Sequence, residues 1–305
     1  VSPTAVATAT SPIVHIPLIT NQQFRSMPTP VNCDNLVPKG TAADNEAELA
    51  RLILVASTMV YDIVHQLLYA TVDTEQDEIE VDRYGRLIIA PRFFPIQAIT
   101  DLWTGADPGS LVEASSLAGC EVEPKRILVT QNVGTGLLTS SAGPLEFGGI
   151  FGGPPRSPIP SYGRWTYING WPVTTLAADV AANATSITVK NPTGIYTTTP
   201  LRIEDGPTRE LLTVTGPVNG NTVPVAALAS AHKAGSGTTA LPATAEEAVG
   251  LIVTALVKRR GAGGLVAGTT ANTKDTSDPF GAADDMITAE KLLTQGDYVA
   301  VGGRT

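Results

Sequence analysis

The stretch Glu78–Thr100, EIEVDRYGRLIIAPRFFPIQAIT, carries the reading of this chain. Alternation through Ile79 and Val81, and then Leu87, Ile88 and Ile89, predicts two short strands around a turn at Asp82, Arg83, Tyr84 and Gly85. Pro91 and Pro95 then stop any sheet from continuing, because proline lacks a ladder donor and fixes φ. Arg92, Phe93, Phe94 and Pro95 are thereby held on a stiff segment of a kind that suits a neighbour's groove. The stretch reads as an assembly element.

Working outward, residues 44–69 predict a helix. Asn45 and Glu48 form a possible capping box, and Leu49, Leu52, Ile53, Ala56, Val60, Ile63, Val64 and Leu67 recur at spacings of three and four. A second helix begins near Pro242, with Thr244 and Glu247 as its capping box, and ends at Gly261. There Lys258, Arg259 and Arg260 complement the helix dipole or contact a neighbouring subunit. Before it, Arg164–Ile168, Asn169 and Gly170, and Trp171–Val173 predict a hairpin, since Asn-Gly readily supplies positive φ. The acidic run Asp73, Glu75, Asp77, Glu78, Glu80 and Asp82 reads as a solvated edge that discourages sheet-to-sheet pairing, or as a cation site. A short helix is expected over Ala283–Leu293.

Residues 174–240 turn to Thr, Val, Ala, Gly and Asn, and predict a small all-β module. Residues 1–43 hold Pro12, Pro17, Pro28, Pro30 and Pro38, and predict an extended arm whose apolar patch, Ile13–Ile19, packs on its own chain or on a neighbour. The expected fold is therefore α+β: a helical core of residues 44–173 and 241–305 with short β-hairpins, and an inserted all-β domain at 174–240.

A net charge of −9 and a pI of 4.8 argue against affinity for a phosphate backbone, although an acidic wall fits a conduit past which DNA slides. Charged residues at 16%, aromatics at 5%, Gly 29 and Pro 23 match a small-residue, loop-rich structural protein. Cys33 and Cys120 stand outside any metal-ligand spacing and read as free. His15, His65 and His232 lie in no catalytic motif. The glycine clusters FGGIFGG and GAGG lack the Lys-Ser/Thr of a P-loop. No catalytic, cofactor or metal residues are expected. No Sec-type leader is recognised, and the helix over 49–69 carries Arg51, Asp62 and His65, so no membrane association is expected.

In order, the 44–69 helix, DRYGRLIIAPRFFPIQAIT, the Tyr167–Val173 segment and EEAVGLIVTALVKRRG resemble the head-tail connector, or adaptor, proteins of long-tailed bacteriophages. The family-like turn is Leu87–Pro95 with Ile96, Ile99 and Trp103, and the segment before the closing helix is Trp171-Pro172-Val173-Thr174-Thr175. The middle module is similar to small β domains of phage tail and virion proteins. The long arm, the Gly-Pro loop at 142–163 and the insertion depart from the pattern. The resemblance implies a homo-oligomeric ring, usually of twelve copies, in the neck of the virion and assembled in the host cytoplasm. It would sit beneath the portal protein and above a downstream neck or tail-completion protein, with genomic DNA passing through without specific binding and no enzymatic activity. Its subunit contacts would run through Arg92, Phe93, Phe94, Pro95, Lys258, Arg259 and Arg260. The alternative is a tail- or fibre-associated module that holds a host glycan through the β insertion, where the sole aromatic is Tyr196.

Overall fold

The alternating run read as one arm of a short hairpin is an eleven-residue strand at the centre of a large sheet. The computed structural model describes residues 14–28, 31–82, 86–130, 161–206, 208–265, 282–296 and 298. Helices α1 (Asn21–Ser26) and α2 (Ala42–Val64) precede seven strands: β1 (Thr71–Val81), β2 (Leu87–Ile89), β3 (Ile96–Gly105), β4 (Val112–Glu113), β5 (Cys120–Glu123), β6 (Arg126–Val129) and β7 (Ser161–Asn169). These make one antiparallel sheet in the order β4-β3-β7-β1-β2-β6-β5. It curls until the Ile96 N–H donates to the Pro124 carbonyl at 2.9 Å, so the start of β3 meets the chain leaving β5. The half-barrel closes on Ile79, Ile89, Leu102, Ile127, Val129, Trp165 and Tyr167.

This corrects the expected fold class. Strand makes up 33% of the chain against 27% helix, so the architecture is mostly β around a curled antiparallel half-barrel, rather than a helical core decorated with hairpins. Pro95 does not stop the sheet. It stands just before β3, a position a proline tolerates because its missing donor is needed only inside the ladder. The acidic run lies along β1, whose residues 71–79 pair with β7 and whose Glu80 and Val81 pair with β2. The turn expected over Asp82–Gly85 lies mostly outside the described residues, as do the loop at 142–160 and Ile13.

Asn169 and Gly170 do not turn a hairpin. Gly170 takes φ +80, and a Cβ there would come within 2.5 Å of the Tyr69 carbonyl oxygen. That approach lets the chain leave the half-barrel instead of doubling back, because only glycine fits it. Trp171 bridges in parallel to Tyr69, and the chain enters β8 (Val173–Thr175). Strands β9 (Ser186–Thr188), β10 (Pro200–Asp205), β11 (Thr208–Thr213), β12 (Thr222–Pro224) and β13 (Gly237–Thr239) follow. They form a four-stranded sheet, β11-β10-β13-β8, and a two-stranded one, β12-β9. Their core, including Leu176, Ile187, Val189, Leu201, Ile203, Val223 and Leu228, is drawn wholly from this part of the chain.

The third core is helical. α3 (Ala243–Leu265) and α4 (Ala282–Gln295) pack with α2, burying Leu49, Leu52, Ile53, Val60, Ala248, Val249, Ile252, Val253, Ala289 and Leu293. Leu18, Ile19 and Phe24, from the stretch read as an arm, join that core, so these residues pack on their own chain. α2 is capped four residues before the expected Asn45: the Thr41 hydroxyl accepts the Asp44 N–H while the Asp44 carboxylate accepts the Thr41 N–H. It stops at His65, whose φ of 57 is left-handed, rather than running on to residue 69. α3 continues past Gly261, so Lys258, Arg259 and Arg260 do not occupy its last turn. No described helix is long and apolar enough to cross a membrane.

Candidate assembly site

Three successive backbone donors of the proline-bounded segment are held by side chains from three different places. The Arg92 N–H donates to both Glu75 oxygens at 3.1 Å, the Phe93 N–H to the Tyr167 hydroxyl at 3.2 Å, and the Phe94 N–H to Gln66 Oε1 at 3.1 Å. Glu75 and Tyr167 lie on β1 and β7, whose register brings them to one face of the sheet. The Tyr167 hydroxyl donates to Glu75 at 2.6 Å, so a carboxylate and a phenol bonded to each other hold two successive backbone N–H groups. Burial pushes both groups up, Tyr167 out of any physiological titration and Glu75 above the usual carboxylate range. The sequence shows no sign of this support, because its three residues come from 17 to 74 positions away.

Gln66 ties the segment to the end of the described chain. Its Nε2 donates to the carbonyl of Tyr298, whose ring lies edge-on to Trp171 at 5.5 Å and whose hydroxyl meets Thr244 Oγ1. Tyr298 is buried in its own chain.

The expected contact residues divide. Arg92 is exposed, while Phe93 is half-buried against the half-barrel core. Phe94 is 5% exposed, with the Lys125 ammonium 5.2 Å from its ring centre. Pro95 is half-buried, behind a cis peptide bond. Phe94 is therefore occupied within its own chain. Lys258 Nζ pairs with Asp285 of α4 at 2.7 Å, and the Arg260 guanidinium with Glu48 of α2, so these two cations bind the helical layer together. Arg259 is exposed. The structure thus leaves Arg92 and Arg259 facing solvent, on separate elements.

The outer face of the half-barrel presents the other coherent surface. Val72, Thr74, Gln76, Glu78 and Glu80 of β1 alternate outward and are exposed, beside Tyr162, Arg164 and Thr166 of β7 and Asp101 and Trp103 of β3. The Arg164 guanidinium lies 4.5 Å over the Trp103 ring, Trp103 Nε1 donates to Asp101 at 2.8 Å, and the Tyr162 hydroxyl donates to Glu78 at 2.8 Å. Glu113 and Glu121, at the two margins of this face, add exposed carboxylates.

Inside the face, Asp73 accepts from Asn169 at 2.7 Å and Thr71 at 2.8 Å, so half of the acidic run serves as hydrogen-bond acceptor for neighbouring strands. Among the described residues no group of three or more His, Cys, Asp or Glu side chains is arranged to hold a metal ion. Cys33 and Cys120 are free, and burial pushes both thiols up, away from the reactive thiolate. His15 lies against Tyr61, His65 ends α2, and His232 is buried with Nε2 3.0 Å from Glu210. The last two are used structurally. No protein-family model, curated protein or solved structure matches the chain.

Proposed function

We propose that this chain is a structural virion protein, a head-to-tail adaptor whose copies form a ring beneath the portal and continue the DNA channel toward the tail. The observation that carries the proposal is the outer half-barrel face. It sets Glu78, Glu80, Glu113, Glu121 and Asp101 over five strands, and the cations Arg164 and Arg126 on the same face are engaged, Arg164 over the Trp103 ring and Arg126 with Glu123 at 2.6 Å. A rigid acidic wall repels a polyanion over the screening distance of about 10 Å at 0.1 M salt, which lets DNA pass without adhering. The braced segment with exposed Arg92 and half-buried Phe93, together with Arg259, supplies the subunit contacts. Portal and downstream neck proteins are the partners in this reading.

Electron microscopy of purified virions tests it: density for the chain should ring the neck. Recovery only from the cytoplasm of infected cells, never in particles, would overturn it.

A second reading draws on the same face. Trp103 and Tyr162 beside Asp101, Glu78, Gln76 and Arg164 are the aromatic-with-polar pattern that a sugar ring stacks on. In a tail-associated module holding a host glycan this face, rather than the 174–240 insertion, would be the binding surface. Titration of the chain with host surface glycans separates the two: saturable binding lost in Trp103→Ala supports the glycan module, and its absence the adaptor.

A further inference from the structure

The helical core and the 174–239 module meet in two places: an apolar one, where Val173 packs on the helical core and Ile16–Ile19 face Val173–Thr175 and Thr238–Thr239, and a charged one. The turn-forming pair β10–β11 reaches across to α1 and α3. Gln22 Nε2 donates to Asp205 at 2.6 Å and Gln23 Nε2 to Glu204 at 3.1 Å, both from α1. The Arg202 guanidinium contacts Glu246 of α3 and the Leu241 carbonyl, and Arg209 Nη2 sits 3.1 Å from the same Glu246 and 2.5 Å from Glu204. A polar cavity of about 300 Å³, lined by Gln23, Ser26, Glu204, Arg209, Glu246 and Glu247, separates these elements. The covalent links between the two bodies are two adjacent strands, Pro172–Val173 and Thr239–Leu241, joined by the Ala240 N–H donating to the Pro172 carbonyl at 2.9 Å. A paired connector beside a polar contact is the layout of a hinge with a catch, because such interfaces between bodies of one chain are weak and conditional.

We propose that β10–β11 is a releasable latch, governed by the protonation of Glu246, that sets whether the 174–239 module is docked on α1 and α3 or free to turn on its connectors. Glu246 is 3% exposed and faces Arg202 and Glu204 on β10, Arg209 on β11, Glu247 on its own helix and Gln23 on α1. Burial, followed by the repulsion of Glu204, pushes it up to about 7 against the pull of the two guanidiniums. The cost of burying this charge thus exceeds the pairing it gains, so the ionised form is the less favoured one in the docked junction.

The sign follows from linkage. The docked state holds its proton up to about pH 7, whereas an undocked, solvated Glu246 loses it near the ordinary value of 4.5. Docking is therefore most favoured below that ordinary value and weakens as pH rises through 7. Between pH 6 and pH 8.5 these two values give a roughly tenfold rise in the undocked population.

Amide hydrogen exchange on the full chain, corrected for the intrinsic pH dependence of exchange, tests the latch. Amides of α1 and of residues 243–246 in the first turn of α3 should exchange about tenfold faster at pH 8.5 than at pH 6, while Leu201 and Ile203 inside the module stay protected. In Glu246→Gln, a neutral mimic of the protonated side chain, the difference should vanish with the junction closed at both pH values. In Glu246→Lys the junction should be open at both. Equal corrected exchange at the two pH values in the native chain, or an undiminished difference in Glu246→Gln, would overturn the proposal. Simultaneous loss of protection at Leu201 and Ile203 would do so too, because that is unfolding and not release.

Discussion

Phe94→Ala removes a ring that is 5% exposed and wedged between the Lys125 ammonium and the buried support of its backbone. We expect it to lower monomer stability by about 3–5 kcal/mol, the range for deleting a buried aromatic side chain, as read by urea denaturation. Phe93→Ala, at a half-buried ring, should cost clearly less and, combined with Arg92→Ala, should act on assembly; light scattering on the purified chain checks which. Equal losses for the two phenylalanines would mean that Phe93 is also plain core.

This division was not legible in the sequence, where two adjacent phenylalanines between prolines look alike. What separates them is Gln66, Glu75 and Tyr167, which fix three consecutive N–H groups and so decide which ring turns inward. The latch was equally hidden: Arg202, Glu204 and Arg209 sit in unremarkable strand residues, and Glu246 in the first turn of a helix some 40 positions on.

At the scale of elements, the sheet depends on close approach at Gly163 of β7. A Cβ there would lie 2.2 Å from Ile79 Cδ1 on β1 and 3.2 Å from the Trp103 carbonyl oxygen on β3. Gly163→Ala should therefore destabilise by about 1–3 kcal/mol, the usual cost of overpacking. Denaturation midpoints should fall while the module, which lies elsewhere, keeps its own. No change in midpoint would show that the sheet yields at this point.

The helices were readable because Leu49, Leu52, Ile53, Ala56, Val60 and Val64 keep an unbroken stripe, and all of them are buried. The half-barrel was not. β3 carries irregularities between Ile96 and Ala98 and between Ile99 and Asp101, which break its alternation, and β1 turns Asp73 and Glu75 toward the protein because Asn169 and Tyr167 bond to them. Inward carboxylates erase the period on which strand recognition rests. Likewise, the Thr41 and Asp44 box lay four residues before the Asn45 and Glu48 signal. Asn45 instead holds the preceding loop, accepting the Val37 N–H and donating to the Asp34 carbonyl, each at 2.8 Å.

For the whole molecule, three separate cores imply separable melting. Calorimetry at pH 8.5 should resolve more than one transition, since the module core is drawn entirely from residues 176–228 and two-state behaviour belongs to single cooperative units. Leu201→Ala, at a fully buried position, should lower only the module's transition. One transition that shifts as a unit would show that the three cores unfold together.

The helical core has a consequence for synthesis. It joins Leu18, Phe24 and the apolar stripe of α2 to partners beginning at Leu241. Between Val64 and Leu241 lie about 180 residues, which a ribosome adding roughly 5–20 residues per second takes on the order of 10–40 s to make. Throughout that interval the nascent chain carries a sticky, unpartnered helix while the half-barrel and module can already fold behind it. Production of this protein should accordingly be limited by chaperone capacity during translation more than by the stability of the finished molecule.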